Sequence, residues 1–176
     1  MEDVYTVISG TNRVGSNSLK IANHYKEKLE ALGKKVKVLS LADLEPDHLV
    51  SCMYGKSTEK FAQLVKDNVE NSSKFIFVLG EYNGGFPGAV KLFIDSVNPK
   101  FFYDKKAAIC GLSSGHLGCV RGQDQFTDIL NYLRIDVLAL KPKLSGIEGL
   151  LSEDGKLTDD RCIEAIDNQL NKFIVF

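Results

Sequence analysis

The sequence carries almost no net charge, no long apolar run and no paired cysteines. Its formal charge of −1 lacks the basic surplus of a nucleic-acid binder, so no nucleic-acid partner is expected. No apolar stretch approaches the ~20 residues that span a bilayer, and no membrane segment is expected either. The opening MEDVYTVISG has no basic segment ahead of its apolar run, which argues against a secretory leader. Four cysteines, Cys52, Cys110, Cys119 and Cys162, are scattered without a CxxC spacing. Neither a disulfide framework nor a zinc site fits them, whereas reduced thiols in a cytoplasmic protein do. Prolines number only four, and there is no low-complexity tract. With 44% hydrophobic and 26% charged residues, the 176 positions read as one globular domain, residues 1–176.

What is present alternates between two periodicities. Short β-branched or apolar runs stand at VYTVIS (4–9), KVKVLS (35–40), FIFVLG (75–80), AAICGL (107–112) and IDVLAL (135–140). Between them lie helical stripes. Leu19, Ala22, Tyr25, Leu29 and Leu32 share one face, with Gly33 as a stop. Phe61, Leu64, Val65 and Val69 form a second stripe, and Val90, Phe93, Ile94 and Val97 a third. Phe126, Ile129, Leu130 and Leu133 form the fourth, and Ile163, Ile166, Leu170 and Ile174 the last. Five strands alternating with five helices predict an α/β fold with a parallel sheet. The simplest order with helices on both faces is 2-1-3-4-5, which reverses direction between strands 1 and 3. Ligands in such sheets bind beyond the carboxyl ends of the strands, at that reversal. The loops after strands 1, 3 and 4 are therefore the ones to inspect.

The first of these, SGTNRVGSNS, offers hydroxyls at Thr11, Ser16 and Ser18, an amide at Asn17 and a cation at Arg13, directly before a helix. Free N–H groups and the positive dipole end make a helix N-terminus an anion site, and an arginine adds a fork for phosphate oxygens. Helix capping accounts for one hydroxyl, but not for three beside an arginine. The chain has no GxxxxGK[ST], no GxGxxG after strand 1 and no acidic residue closing strand 2. A nucleotide-hydrolysing loop and a dinucleotide fingerprint are thereby excluded, leaving a cradle sized for a terminal monophosphate. After strand 3, GEYNGGFPG brings Glu81, Tyr82, Asn83 and Gly84; after strand 4, SSGHLGCVRG brings Ser113, Ser114, Gly115 and His116. Glycines let peptide groups approach a flat ligand closely. No carboxylate stands behind His116, so its backbone matters more than its ring, and Cys119 reads as buried filler. A flavin mononucleotide has the required shape, with a phosphate at one end and a planar ring with a hydrogen-bonding edge at the other.

These stretches resemble the NADPH-dependent FMN reductase family, which includes bacterial chromate and quinone reductases and small azoreductases of flavodoxin-like fold. GTNRVGSNS is similar to the family's GSxRxxSxN loop, GEYNGGFPGAVKLFID to its PEYNxxxPGxLKNxID motif, and SSGHLGCVRGQDQF to its glycine-rich third loop. Gly80 replaces the usual proline, Ser18 stands where asparagine is common, and Leu117 where glycine is common. The resemblance implies a flavodoxin-like three-layer α/β/α sandwich and FMN held at the motif positions. Thr11, Arg13, Ser16, Asn17 and Ser18 would hold the phosphate. Glu81, Tyr82, Asn83 and Gly84 would line the isoalloxazine, and Ser113, Ser114, Gly115 and His116 its other edge. It also implies hydride transfer from NADPH or NADH through FMN to a small-molecule electron acceptor: a quinone, an azo compound, chromate or free flavin. A homodimer or homotetramer follows from the same resemblance, with residues 45–60 as the candidate contact. No side chain is expected to be catalytic, since the cofactor carries the reaction. The alternative is a flavodoxin-type electron carrier, against which the near-neutral charge argues, since such carriers are strongly acidic.

Overall fold

The computed structural model describes residues 2–45 and 48–176. Strand β1 (Val4–Ser9) leads through the first loop into helix α1 (Asn17–Ala31), and β2 (Lys35–Ser40) follows. A short helix α2 (His48–Ser51) precedes α3 (Glu59–Val65), which runs on through a π-helical turn, Lys66–Glu70. Then come β3 (Lys74–Gly80), α4 (Gly88–Ser96), β4 (Lys106–Ser113), α5 (Val120–Tyr132), β5 (Asp136–Val137), β6 (Lys143–Ser145) and α6 (Asp160–Val175). The sheet is parallel throughout, in the order β2-β1-β3-β4-β5. It therefore reverses between β1 and β3, as the alternation of patterns predicts.

Side-chain alternation in the central strands divides the core into two layers. Ile8, Phe75, Phe77, Leu79, Ala107 and Ile109 face α3, α4 and α5. Their neighbours Tyr5, Val7, Ile76, Val78, Ala108 and Cys110 face α1 and α6. Strand β3 is buried along its whole length, which explains why FIFVL is apolar at every position. Aromatic rings tighten the first layer: Phe77 meets Phe126 edge-on at 4.9 Å between centroids, and Phe75 meets Phe102 at 5.9 Å.

The fifth strand departs from expectation. The run 135–140 predicts one strand, but β5 pairs only with the start of β4, through Asp136 and Val137. The chain then leaves the ladder and returns as β6, which pairs with Gly111–Ser113 at the far end of β4. Pro142 has no N–H to extend a ladder, so the strand cannot continue through it. Two buried glutamines fill the gap. Gln169 of α6 donates to the Ile109 and Leu140 carbonyls at 2.9 and 2.8 Å, and Gln123 of α5 donates to the Pro142 carbonyl at 2.7 Å. Tyr25 completes the cluster by donating to Gln169 Oε1 at 2.6 Å. Three carbonyls at the break are thus answered from helices.

Candidate functional site

At the carboxyl edge, the loops after β1, β3 and β4 surround a cleft of about 430 Å³. Thr11, Arg13, Ser16, Asn17, Ser18, Glu81, Tyr82, Ser113 and Ser114 line it, together with Ile147 and Glu148. Asn83, Gly84, Gly115 and His116 lie beside it on the same loops, outside the lining. A larger hollow of about 750 Å³ lies elsewhere, along α3 and the C-terminal end of α4. Its walls include Phe61, Val65, Val97 and Phe101, and none of the loops at the sheet reversal contributes to it. Of the 45–60 stretch expected to contact another chain, residues 46 and 47 lie outside the described residues, while Tyr54 is 94% exposed.

The first loop leaves several donors open at the start of α1. Ser16 caps α1, its Oγ accepting from Leu19 N at 3.2 Å, so one hydroxyl is spent on the helix itself. Thr11 Oγ1 accepts from Arg13 N at 3.3 Å and shares a 3.0 Å hydrogen bond with the Tyr82 hydroxyl. Asn17 Oδ1 accepts from Lys20 Nζ at 3.2 Å, while Ser18 is buried against Gly80. Among the described residues, the N–H groups of Asn17 and Ser18 in the first turn of α1 have no acceptor, and Arg13 forms no salt bridge. Ser9, at the end of β1, is buried with its Oγ unpartnered.

The second loop is a tight hairpin. Tyr82 and Gly85 exchange backbone hydrogen bonds at 2.9 and 3.0 Å around Asn83 and Gly84, whose φ values are +50° and +77°. That pair of left-handed residues is what a two-residue turn demands, and Asn-Gly meets it with least strain. Glu81 turns away from the hairpin and accepts from Cys119 N at 3.0 Å, closing the N-terminus of α5 with a carboxylate. Burial pushes the Cys119 thiol up to about 11, the Glu81 charge adds to this, and a backbone contact from Gly122 opposes it. Helix α5 packs hard against the hairpin. A Cβ on Gly122 would come within 2.7 Å of Phe86 N and 2.8 Å of the Gly85 carbonyl carbon.

In the third loop the side chains serve the loop. Ser113 Oγ donates to the Gly115 carbonyl and accepts from Gly118 N, both at 2.9 Å. Gly146 N donates to the Gly115 carbonyl and Ser145 Oγ to the His116 carbonyl, tying the loop to β6 and the 3₁₀ turn Ile147–Leu150. The N–H groups of Ser114 to Leu117 have no acceptor among the described residues. Ser114 Oγ donates to Glu148 Oε1 at 2.7 Å. That hydrogen bond, the residue's own N–H and the Arg13 charge hold the Glu148 carboxyl below the usual range. Glu148 and Ile147 had no motif to announce them, and they reach the cleft only because the strand break delivers them there.

The donor set suits FMN. A hydroxyl-rich helix N-terminus with an arginine fits a phosphate, and a run of free peptide N–H groups fits the acceptors on a ring edge. The sheet order, the helices on both faces and the cleft at the reversal define a flavodoxin-like α/β protein. The chain belongs to the NADPH-dependent FMN reductase family, whose model matches residues 5–141, and that family uses FMN and NAD(P)H. An NAD(P)H-dependent FMN reductase of Pseudomonas aeruginosa is 30% identical over 110 residues, 60% of this chain. The match spans 59% of the length of that curated relative. Among solved structures, the flavoenzyme FerB, an NAD(P)H:(acceptor) oxidoreductase from Paracoccus denitrificans, is similar with a TM-score of 0.80 at 21% identity, covering 99% of this chain and 96% of that one. The apo form of the NADH:FMN oxidoreductase EMOB is similar at 0.76 and 16%, covering 99% and 89%. A flavodoxin from the domain Archaea is similar at 0.63 and 13%, covering 99% of each chain.

Proposed function

We propose that this chain is an FMN-dependent NAD(P)H oxidoreductase that passes hydride from NAD(P)H through bound FMN to a small acceptor, with quinones, azo compounds, chromate and free flavin as the acceptor classes. The single observation carrying this reading is the convergence of Arg13, the α1 N-terminus and the free N–H of Ser114 on one cleft, with the free N–H groups of 115–117 on the loop beside it. When bound, FMN supplies the two-electron chemistry. The chain's own residues bind and orient. Arg13 and the N–H groups of Asn17 and Ser18 hold the phosphate, with Thr11, Ser16 and Ser18 shaping the loop. Tyr82, through its bond to Thr11, fixes the hairpin against the phosphate loop, and Glu81 fixes it against α5. Asn83, Gly84, Ser114, Gly115 and His116 present backbone toward the ring's edges. The free N–H groups of the third loop would favour negative charge on a group bound beside them. The 176 residues act as one FMN-binding domain that assembles into a homodimer or homotetramer in the cytoplasm.

The test is optical. Purified protein loaded with FMN is mixed with NADPH and with NADH under anaerobic stopped flow. Rapid bleaching near 450 nm followed by acceptor-dependent recovery is the expected result. Persistent yellow colour assigns the protein to electron carriers of flavodoxin type, and failure to take up FMN overturns the reading.

A further inference from the structure

The charge around the cleft does not favour an anion as strongly as the first loop alone suggests. Three charged side chains line it: Arg13, Glu81 and Glu148. Glu81 is committed to the N-terminus of α5 through Cys119 N. That leaves Arg13 as the cation and Glu148 as the carboxylate that offsets it, steadied at 2.7 Å by Ser114 Oγ on the loop across from Arg13. Glu148 is solvent-exposed at its own position, and its segment is anchored by Gly146 N on the Gly115 carbonyl at 2.9 Å. Its segment is held at the cleft by ties to the third loop and by the burial of Ile147 in the core beneath it. A cleft that takes a dianion has no need of this carboxylate for holding it.

We propose that Glu148 is a positioning and specificity-determining residue that sets how tightly the first loop takes a flavin's terminal phosphate, by acting as an anionic counterweight to Arg13. This rests on the flavin reading above. Its consequence is selectivity by charge. The carboxylate disfavours dianionic ligands while leaving the uncharged flavin ring untouched, so it narrows the gap between a phosphorylated flavin and one without phosphate. A reductase that hands electrons to free flavin gains from such a brake, because its cofactor site then does not monopolise every phosphorylated flavin it meets.

The experiment titrates FMN and riboflavin into apo wild-type protein, Glu148→Gln and Glu148→Asp, following flavin fluorescence at two salt concentrations. Glutamine keeps an acceptor for Ser114 but removes the charge. The expected result is that E148Q binds FMN roughly three- to tenfold more tightly at low salt, with the gain shrinking as salt rises. Riboflavin affinity stays within about twofold in every variant, and E148D behaves like wild type. Unchanged or weakened FMN binding in E148Q overturns the proposal, as does an equal change for both flavins, which would assign Glu148 a structural or ring-facing role. Wild-type protein that binds neither flavin overturns the FMN reading and this proposal together. Wild-type protein that binds FMN, with E148Q unaltered, overturns the role of Glu148 alone. Melting curves for each variant check that the fold is intact.

Discussion

The two edges of the sheet face opposite electrostatic demands and meet them differently. In a parallel α/β layer the helices present their C-termini at the amino edge and their N-termini at the carboxyl edge. At the amino edge, lysines close two of those C-termini from within the chain, at α6 and at the π-helical turn after α3. Lys74, 4% exposed, donates to the Phe173 and Ile174 carbonyls of α6 at 3.0 and 2.9 Å and pairs with Asp3 at 3.0 Å. Lys105 donates to the Val69 and Glu70 carbonyls at the end of the π-helical turn, and Lys106 to the Phe176 carbonyl. At the carboxyl edge, the first turn of α1 and the loop before α5 keep N–H groups without acceptors among the described residues, beside Arg13. One edge is finished by the chain, and the other is prepared for something the chain does not supply.

Four perturbations break or sharpen this division. Lys74→Met should have the largest effect, about 3 kcal/mol of lost stability, because it leaves two helix carbonyls and Asp3 without their cation. Urea unfolding measures it, and flavin capacity per folded molecule should not change; a parallel loss of flavin would mean that the edges are coupled. Gly122→Ala comes next, at about 2 kcal/mol, since the new methyl must displace backbone at Phe86 and Gly85. Unlike Lys74→Met it should also impair FMN uptake, because the hairpin and α5 move together. Arg13→Ala should weaken FMN binding by about 1.5 kcal/mol, roughly tenfold, with an unaltered melting temperature. Equal loss of riboflavin binding would remove the guanidinium from the phosphate.

The smallest effect concerns thiols. Burial raises the Cys110 thiol to about 12 and the Cys119 and Cys162 thiols to about 11. A raised thiol pKa leaves little thiolate at pH 8, and the thiolate is the reactive form. In the folded protein Cys110, Cys119 and Cys162 should therefore react slowly with DTNB at pH 8, whereas all four cysteines react in urea. Fast labelling mapped to Cys119 in the folded state would show that the N-terminus of α5, rather than burial and Glu81, governs that thiol.

Strands β1 and β2 stand where VYTVIS and KVKVLS place them, because in both the β-branched period and the flanking turn residues agree. The fifth strand was illegible for a local reason. IDVLAL keeps a strand-like pattern to Leu140, but the ladder ends at Val137 and resumes at Lys143 two residues out of register on β4, a shift that the pattern does not announce. Missing the break meant missing β6, and with it Ile147 and Glu148. The residues lining the cleft were legible as types, since hydroxyls and an arginine ahead of a helix are a local signal. Their partners were not. The Thr11–Tyr82 and Glu81–Cys119 bonds join residues 71 and 38 positions apart, and only the sheet order brings them together. Ser113 shows the limit most clearly, for its hydroxyl is consumed inside its own loop.

The interrupted outer strand has a consequence for solubility. An unbroken fifth strand would offer a row of unpaired backbone groups on which a strand from another molecule can dock. Here that margin is two short pieces separated by residues 138–142, with the Ile109 carbonyl of β4 taken by Gln169 and the Pro142 carbonyl by Gln123. Such an edge is a poor template for growth, so the chain resists sheet-to-sheet aggregation along this side.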